Sequence, residues 1–438
     1  MMAGIGLAGI GVTGSASAQS AAAGDERWQF DVGSRTSSPT VVDGTVYIGG
    51  SGDGLYAVDA ESGDERWNVD IRSQESFPTP SVVDGTVFVA AIDVTAVDAE
   101  TGEELWQTGL GGGSAFTAPT VADGRIVVGT ESDLVVVSAT DGEEQWRVDS
   151  VLGWDTPTVV DGTVYVGSGD DNLYAFDLES GDEQWRTGID SPGAPTVANG
   201  ALYVGSGSGD LYALDAESGD ELWRFPTDRG VQSTPTVADG TVYVGCNDDN
   251  VYAIDAEGGD EEWRFDAGGR VYSSPTVAGG VVYVGGGDSV YAIEADSGDE
   301  RWATEATGAD VPSPTVVDGT VYAGTTDGTL HALGTDHDQS SEGSRVELGT
   351  LGHHHVWADE SGPIQFETTE ATTMTEATAG EATAESESQA SVEPSSTSTA
   401  DTGSTTSSGD GPGFGVWSTV TALGGSLIAA RRFGSEND

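Results

Sequence analysis

The chain contains no lysine, and its 15 basic residues, all arginine, stand against 74 aspartates and glutamates. The formal net charge of -59 excludes a general nucleic-acid binder, because phosphate contacts need a basic surface. It also argues against adsorption to an anionic membrane surface. The carboxylates sit within a regular pattern of valine, tyrosine and tryptophan, so disorder does not explain them. The composition is typical of a surface adapted to high salt, which screens repulsion among like charges.

Cysteine is nearly absent as well. The single Cys246 permits no internal disulfide and no cysteine-rich metal site. The sequence also shows no pairing of a nucleophile with a base and no phosphate loop. Its many Gly-x-Gly strings are not followed by a helical pattern, so we interpret them as turns rather than as a dinucleotide-binding motif.

The dominant feature that is present is a repeat, whose clearest copy is AVDAESGDERW from Ala57 to Trp67. Copies of it, two of them weak, end at eight tryptophans spaced 38 to 40 residues apart: Trp28, Trp67, Trp106, Trp146, Trp185, Trp223, Trp263 and Trp302. A fixed period of this length indicates the blades of a β-propeller.

Each repeat predicts a four-stranded antiparallel meander. An Asp-Gly dipeptide or a close equivalent follows the first short apolar run and predicts a type I′ hairpin turn. These turns are Asp43-Gly44, Asp84-Gly85, Asp123-Gly124, Asp161-Gly162, Asn199-Gly200, Asp239-Gly240, Gly279-Gly280 and Asp318-Gly319. A proline at the start of each first strand, where it loses no ladder bond, also occurs eight times: Pro39, Pro80, Pro119, Pro157, Pro195, Pro235, Pro275 and Pro314.

The two ends of the repeat array complement each other. The last unit has three strands but no tryptophan strand, whereas an orphan tryptophan strand, 24–30, precedes the first unit. We therefore predict an all-β, eight-bladed propeller over residues 24–334, closed by its N-terminal strand, which leaves no open blade edge. We expect it to be monomeric.

The motif Ala-x-Asp-x-x-(Ser/Thr)-Gly-x-x-x-Trp resembles the tryptophan-docking motif of quinoprotein (PQQ) dehydrogenase-like eight-bladed propellers, a superfamily that includes the propeller lipoprotein of the bacterial outer-membrane assembly machine. The resemblance covers 24–334. It implies that each tryptophan packs between neighbouring blades and that the motif glycine permits the close approach. The copy ending at Trp146 departs, with Val136, Ser138 and Asp141 at the Ala, Asp and Ser/Thr positions, so we expect looser blade contact there.

Catalytic members of that superfamily bind pyrroloquinoline quinone and calcium in the central funnel. Their adjacent cysteine pair has no counterpart, because Cys246 stands alone. The blades are also too short to carry the insertions that would form a substrate pocket. No catalytic residue can be transferred to this chain, and we expect neither cofactor.

Candidate binding residues lie in the loops that lead into the first strands, which vary most between repeats. They are rich in arginine and aromatic side chains, the usual anchors of interfaces: Arg35, Arg72, Phe77, Phe116, Trp154, Arg229, Arg270 and Tyr272. Two interpretations stay open, recognition of a ligand and closure of the channel mouth.

Two further clusters are weaker candidates. Aspartates recur at the turns between second and third strands, among them Asp93, Asp133 and Asp248. They could form a ring for calcium, but aspartate favours such turns in any case, and we prefer that reading. His353-His354-His355 could bind a transition metal, although three consecutive histidines cannot all face one ion.

The segments outside the repeats predict export and surface attachment. Residues 1–18 form an apolar run that ends in a small-residue cleavage pattern and lacks basic residues at its start, so we interpret them as a signal peptide that is either truncated or degenerate. Residues 335–366 are acidic and irregular, and their docking on the propeller is undecided. Residues 367–410 form a Thr/Ser-rich stalk.

Residues 411–438 combine Pro412-Gly413-Phe414, an apolar run to Ala430 and Arg431-Arg432. This order resembles the C-terminal sorting signal processed by archaeosortases in haloarchaea, and the acidic composition also resembles proteins of that group. The tail would then be cut and replaced by a lipid. The alternative is an uncleaved transmembrane anchor over the run from Phe414 to Ala430, whose 17 residues are at the short limit for a span.

We therefore expect a non-catalytic cell-surface propeller that binds a protein or small ligand on its loop-rich face. The alternatives are a PQQ-dependent oxidoreductase-like enzyme and an envelope protein assembly helper.

Overall fold

The eight hairpin turns have the backbone conformation that their residues predict. Both central residues have positive φ in every turn, for example +47° at Asp43 and +70° at Gly44. This is the geometry of a type I′ turn, whose twist matches that of the strands it joins. Each turn therefore brings the first two strands of a repeat into antiparallel register, as Thr40 opposite Tyr47 illustrates.

A computed structural model describes residues 22–50, 54–71, 79–111, 113–115, 117–151, 155–305 and 311–342. These residues form eight four-stranded antiparallel sheets, the blades of a propeller. Blades 1 to 7 each take four consecutive strands of the chain. In blade 8 the last three strands of the array pair with the strand Glu26–Asp31, so its outermost strand comes from the N-terminal side of the array. The prediction of eight blades with this closure is confirmed.

The strands fall into four layers from the channel outward. The innermost strands are β2 Thr40–Val42, β6 Ser81–Val83, β10 Thr120–Ala122, β14 Thr158–Val160, β18 Thr196–Ala198, β22 Thr236–Ala238, β26 Thr276–Ala278 and β30 Thr315–Val317. The second strands are β3 Thr45–Gly50, β7 Thr86–Ala90, β11 Arg125–Gly129, β15 Thr163–Ser168, β19 Ala201–Gly205, β23 Thr241–Gly245, β27 Val281–Gly286 and β31 Thr320–Gly324. The third strands are β4 Gly54–Asp59, β8 Asp93–Asp98, β12 Asp133–Ser138, β16 Asn172–Asp177, β20 Asp210–Asp215, β24 Asn250–Asp255, β28 Ser289–Glu294 and β32 Thr329–Gly334. The outermost strands are β5 Glu65–Val69, β9 Glu104–Gly109, β13 Glu144–Asp149, β17 Glu183–Gly188, β21 Glu221–Pro226, β25 Glu261–Asp266, β29 Glu300–Glu305 and, closing blade 8, β1 Glu26–Asp31.

The hydrophobic core lies between the blades rather than in one central mass. Each of its eight clusters combines residues of two neighbouring blades, as where Val46 and Ile48 of blade 1 pack with Leu330 and Ala332 of blade 8. Second strands such as β3 are buried throughout, whereas outermost strands such as β5 are largely exposed. The carboxylates concentrate on this exposed layer, which is why so acidic a chain can still bury an apolar core.

Hydrogen bonds between neighbouring innermost strands form a belt around the channel. At seven junctions the hydroxyl that follows the repeat proline donates to the carbonyl of the next blade's proline, at 2.6 Å from Thr40 to Pro80 and 2.9 Å from Thr315 to Pro39. The second of these bonds links blade 8 to blade 1. The belt therefore also closes the ring between blade 8 and blade 1, in addition to the pairing of β1 with β32.

The tryptophans lie between blades. In seven of them the indole Nε1 donates to a motif carbonyl of the next blade, over 2.7 to 3.3 Å. These seven are Trp28, Trp67, Trp106, Trp146, Trp185, Trp223 and Trp263. The ring of Trp302 lies against Gly24, where an added Cβ would come within 3.2 Å of it. The tyrosine of the second strand often shares the acceptor, since Ala99 accepts from both Trp67 and the Tyr47 hydroxyl.

Blade 3, whose motif ends at Trp146 and departs from the common pattern, keeps its motif turn because the aspartate and the hydroxyl residue have exchanged positions. In regular copies an aspartate such as Asp59 accepts hydrogen bonds from the backbone and hydroxyl of Ser62. In blade 3 the pair is Ser138 and Asp141, and the hydrogen bond from Ser138 lowers the pKa of that carboxyl. The bond that reaches this turn from Trp106 is the longest of the seven, 3.3 Å, whereas Trp146 itself binds Leu178 at 2.8 Å.

The propeller has two unlike faces. The loop face carries the connections between blades and the turns between second and third strands. The turn face carries the Asp-Gly hairpins and the motif turns, which hydrogen-bond each other, as Ala60 N does with Gly44 O at 3.0 Å. Residues 335–342 also lie on the turn face, where Glu342 forms an antiparallel bridge with Val277 of β26.

Several predictions concern segments outside the described residues: the signal peptide, residues 343–366 with the histidine triplet, the stalk and the C-terminal tail. Among the residues that are described, no helix is long and apolar enough to cross a membrane.

Candidate ligand face

The interblade loops of the loop face are anchored by buried aliphatic side chains. Val231 and Val271, each eight positions after a motif tryptophan, are 1% and 0% exposed. The Val271 amide donates to Cys246 O at 3.1 Å, and the Val231 amide donates to Ser206 O at 2.9 Å. Because each valine is buried and hydrogen-bonded, the residues directly before it are held in fixed positions on the surface.

Three of the candidate binding residues lie on these anchored loops around blade 6. Arg229 and Arg270 are exposed, Tyr272 is 38% exposed, and an Arg270 guanidinium nitrogen donates to the Tyr272 hydroxyl at 2.9 Å. The two loops flank the turn at Cys246–Asp249, since Gly230 O accepts from Asn247 N at 3.0 Å. The structure thus groups these three residues in one sector of the face.

The other candidates lie elsewhere or are not described. Arg35 is exposed in the loop from blade 8 to blade 1, in a different sector. Arg72, Phe77, Phe116 and Trp154 fall outside the described residues.

The aspartates of the loop face serve their own blades. Asp170 and Asp248 each accept from a tyrosine hydroxyl at 2.7 Å, and Asp133 pairs with Arg147 at 2.9 Å. Burial opposes ionisation of Asp248, but hydrogen bonds from Tyr252 and Asn250 outweigh it and lower the pKa of this carboxyl. These contacts favour the interpretation as turn chemistry over a calcium ring.

The potential metal ligands of the described residues are dispersed. Within the described ranges, no three His, Cys, Asp or Glu side chains are grouped so that they could hold a metal ion. Cys246 is fully buried at the end of β23, where its thiol lies 3.3 Å from Arg229 O. A buried single thiol cannot present the adjacent sulfurs that stack on the cofactor in the resembling enzymes.

Cys246 is accordingly expected to be unreactive. Burial raises the pKa of its thiol to about 11, two units above the ordinary 9.0, so about 100-fold less thiolate forms at pH 8. Iodoacetamide should modify the folded protein at least that much more slowly than the denatured chain, as followed by intact mass. Alkylation at equal rates in both states would contradict this.

A set of contacts between tyrosines of the third strands and arginines of the outermost strands was not foreseen from the sequence. Tyr174, Tyr212 and Tyr252 lie beside arginines of the outermost strands, and the guanidinium of Arg264 lies 6.0 Å from the Tyr252 ring centroid. The signal was visible as an arginine directly after four consecutive tryptophans, from Trp146 to Trp263. In blades 5 and 6 the guanidinium lies over the tyrosine ring, and in blade 4 Arg186 and Tyr174 interact through a hydrogen bond.

Comparison with known proteins agrees with this architecture. The model of the family described as outer membrane protein assembly factor BamB matches residues 12–95, 91–191, 130–224, 188–270 and 207–339. No curated protein matches the chain.

Solved structures that resemble the chain include BamB, a computationally designed protein and an alcohol dehydrogenase. BamB from Moraxella catarrhalis is 19% identical, with a TM-score of 0.60 over 71% of this chain and 99% of that one. The computationally designed Ika8 protein is 18% identical, with a TM-score of 0.59 over 72% and 99%. The quinohemoprotein alcohol dehydrogenase ADHIIG from Pseudomonas putida HK5 is 16% identical, with a TM-score of 0.60 over 72% and 76%. At these identities the likeness shows the fold alone.

Proposed function

Because the chain belongs to the family of the outer membrane protein assembly factor BamB, we propose that its propeller is a non-catalytic scaffold that binds a protein or small ligand on the loop face. The observation that carries this is the sector formed by Arg229, Arg270 and Tyr272. These side chains are exposed on loops whose anchors are buried, so little ordering is needed on binding. Arginine and tyrosine are also the residues most enriched at binding hot spots.

A substitution pair tests the loop face. The variant Arg229→Glu/Arg270→Glu/Tyr272→Ala should lose the partner that the wild-type ectodomain captures from solubilised envelopes in high salt. Arg186→Glu, an exposed arginine of the outermost strand in blade 4 with a side chain 60% exposed, is the matched control and should retain it. Equal capture by both variants would contradict the proposal.

The family relationship favours one particular kind of scaffold, a helper in the assembly of envelope proteins. If so, captured partners should be newly exported, unassembled proteins. The enzymatic alternative is a quinone-dependent oxidoreductase. Retention of quinone absorbance after calcium and pyrroloquinoline quinone are added to the protein and free cofactor is removed would favour that alternative over the scaffold.

We propose further that the protein is exported and held at the cell surface by its C-terminal tail or by a lipid that replaces the tail. The last described residue, Glu342, lies on the turn face. Peptide analysis of envelope-extracted protein should recover no peptide containing Leu427–Phe433 if the tail is processed. Recovery of such peptides from the envelope would favour the uncleaved anchor, and full-length protein in the cytoplasm would contradict both.

A halophilic setting is part of the same proposal and predicts a salt response. Raising potassium chloride from about 0.1 M to about 1 M shortens the Debye length from about 10 Å to about 3 Å, which weakens repulsion among the carboxylates. The melting temperature should rise over this range. Sucrose is the control, because it favours burial without screening charge. A melting temperature that stays flat or falls with salt would contradict the prediction.

A further inference from the structure

The junction between blades 7 and 8 lacks a motif turn. In other blades the chain passes from the third to the fourth strand through the motif, whereas in blade 8 the fourth strand is β1. The backbone nevertheless begins the same way after β32, since the Thr335 amide donates to Gly319 O at 3.0 Å, as Ala60 does to Gly44. Thr335 therefore occupies the place of Ala60, the residue directly after the motif aspartate, and the residues after Thr335 take another course.

Residues 335–342, which we call the strap, fold back over the hairpin turn of blade 8 and run along β30. Gly319 N donates to Gln339 O at 3.3 Å. Ser341 pairs with Val316 three times, because its amide donates to Val316 O at 2.8 Å while its hydroxyl accepts from Val316 N and contacts Val316 O, both at 2.9 Å. The strap thus adds to the channel-side edge of an innermost strand.

The strap also reaches blade 7. The Glu342 amide donates to Val277 O at 2.8 Å, and the Glu342 carboxylate accepts from Gly279 N at 3.1 Å. The His337 ring contacts the Tyr283 hydroxyl at 2.8 Å, in place of the motif carbonyl that Tyr47 and its equivalents use. Turn amides and strand edges of two blades therefore recognise one extended peptide, in the manner of β-strand addition.

The sequence of blade 7 is adapted to this contact. Seven of the eight hairpin turns begin with aspartate or asparagine, and only blade 7 begins with Gly279. Backbone geometry does not require the exchange, because φ is +59° at Gly279 and +47° at Asp318, where aspartate is present. A Cβ at residue 279 would instead lie 2.2 Å from the Gln339 side-chain oxygen and 3.2 Å from the His337 ring. The strap occupies the space that a side chain would take.

We propose that the edges of β26 and β30 and their two hairpin turns form a peptide-binding slot, and that its occupant is the strap of the same chain. The slot takes an extended, acidic segment through backbone pairing and the Ser341 contacts. It clamps the last blade on the side opposite the β1 closure. This inference does not depend on the ligand of the loop face.

Substitution of one turn residue tests the slot in the full-length protein. Gly279→Asp installs the residue that other blades carry; its side chain displaces those of Gln339 and His337 and adds a carboxylate near that of Glu342, so it should weaken the binding of the strap. The amides of 339–342 should then exchange with deuterium about a hundredfold faster, as expected for the loss of a few net hydrogen bonds. Asp239→Gly makes the reverse substitution in blade 6 and should leave the deuterium exchange of the strap amides unchanged. Unchanged exchange in Gly279→Asp would overturn the proposal.

A second variant separates an empty slot from a blocked one. Ser341→Pro removes both the amide and the hydroxyl that pair with Val316 but leaves the slot intact. A fluorescent peptide with the sequence of 335–342 should bind this variant in trans, yet bind neither the wild type, whose slot is filled, nor Gly279→Asp/Ser341→Pro, whose slot is obstructed. Failure of the peptide to bind Ser341→Pro, or equal binding to the double variant, would overturn the proposal. Loop-face capture should persist in Ser341→Pro, so the two proposals can fail separately.

Discussion

Deletion of residues 24–31 is expected to cost the propeller more stability than any single substitution. The deletion removes β1, which pairs with β32 from Glu26 opposite Leu333 to Asp31 opposite Thr329. It also removes Trp28, whose loss alone should cost about 3–5 kcal/mol. The free energy of unfolding, measured by denaturant titration in high salt, should fall by at least that amount.

Two neighbouring junctions explain why the effect should exceed that of a lost tryptophan. Trp28 lies between blades 8 and 1 and donates to Ala60 O at 3.1 Å, while Gly24 receives the ring of Trp302 from blade 7. The deletion also leaves β32 as an open sheet edge.

The Gln29→Ala substitution in the same strand is the control for this deletion, because Gln29 is exposed, and it should change stability little. A peptide of residues 22–32 added to the deleted protein should restore stability in proportion to the logarithm of its concentration once it is in excess. A melting temperature unchanged by the deletion would contradict closure through β1.

The blades and their closure were predictable because each depends on local chemistry repeated at a fixed period. A type I′ turn needs residues such as Asp43 and Gly44 whatever the rest of the chain does. The missing strand of the last blade and the extra strand before the first could be matched by counting. The hydrogen bond from the second-strand tyrosine to the motif carbonyl was harder to predict. Tyr47 and its acceptor Ala99 are 52 residues apart, and tyrosine is common in any strand.

The strap and the grouping of the loop-face residues could not be predicted in the same way. Gly279 is an acceptable hairpin residue by itself, and only the position of Gln339 shows why aspartate is absent there. Residues 335–342 carry no periodic pattern, because their pairing partners are edges supplied by two other blades. Similarly, Arg229 and Arg270 lie in different repeats, and they share a sector because both of their loops hydrogen-bond to the turn at Cys246–Asp249.

A matched pair of glycines should separate the cost of backbone strain from the cost of a blocked blade contact. Gly63 and Gly44 have similar φ values, +77° and +70°. A Cβ at residue 63 would lie 2.8 Å from the Trp28 ring, whereas a Cβ at residue 44 meets nothing within 4 Å. Both alanine substitutions pay the strain of a left-handed backbone, about 1–2 kcal/mol. Only Gly63→Ala also forces the Trp28 ring away from its packing position between the blades.

Gly63→Ala should therefore destabilise the propeller by about 1–3 kcal/mol more than Gly44→Ala, the range expected for overpacking. Both are measured as free energies of unfolding in the same high-salt buffer. Tryptophan fluorescence should shift toward the solvent-exposed value in Gly63→Ala alone. Gly259→Ala, where the added Cβ would lie 2.7 Å from Trp223, should repeat the result in another blade. Equal losses in Gly63→Ala and Gly44→Ala would mean that the motif glycine is present for its backbone conformation and not for the approach of the tryptophan.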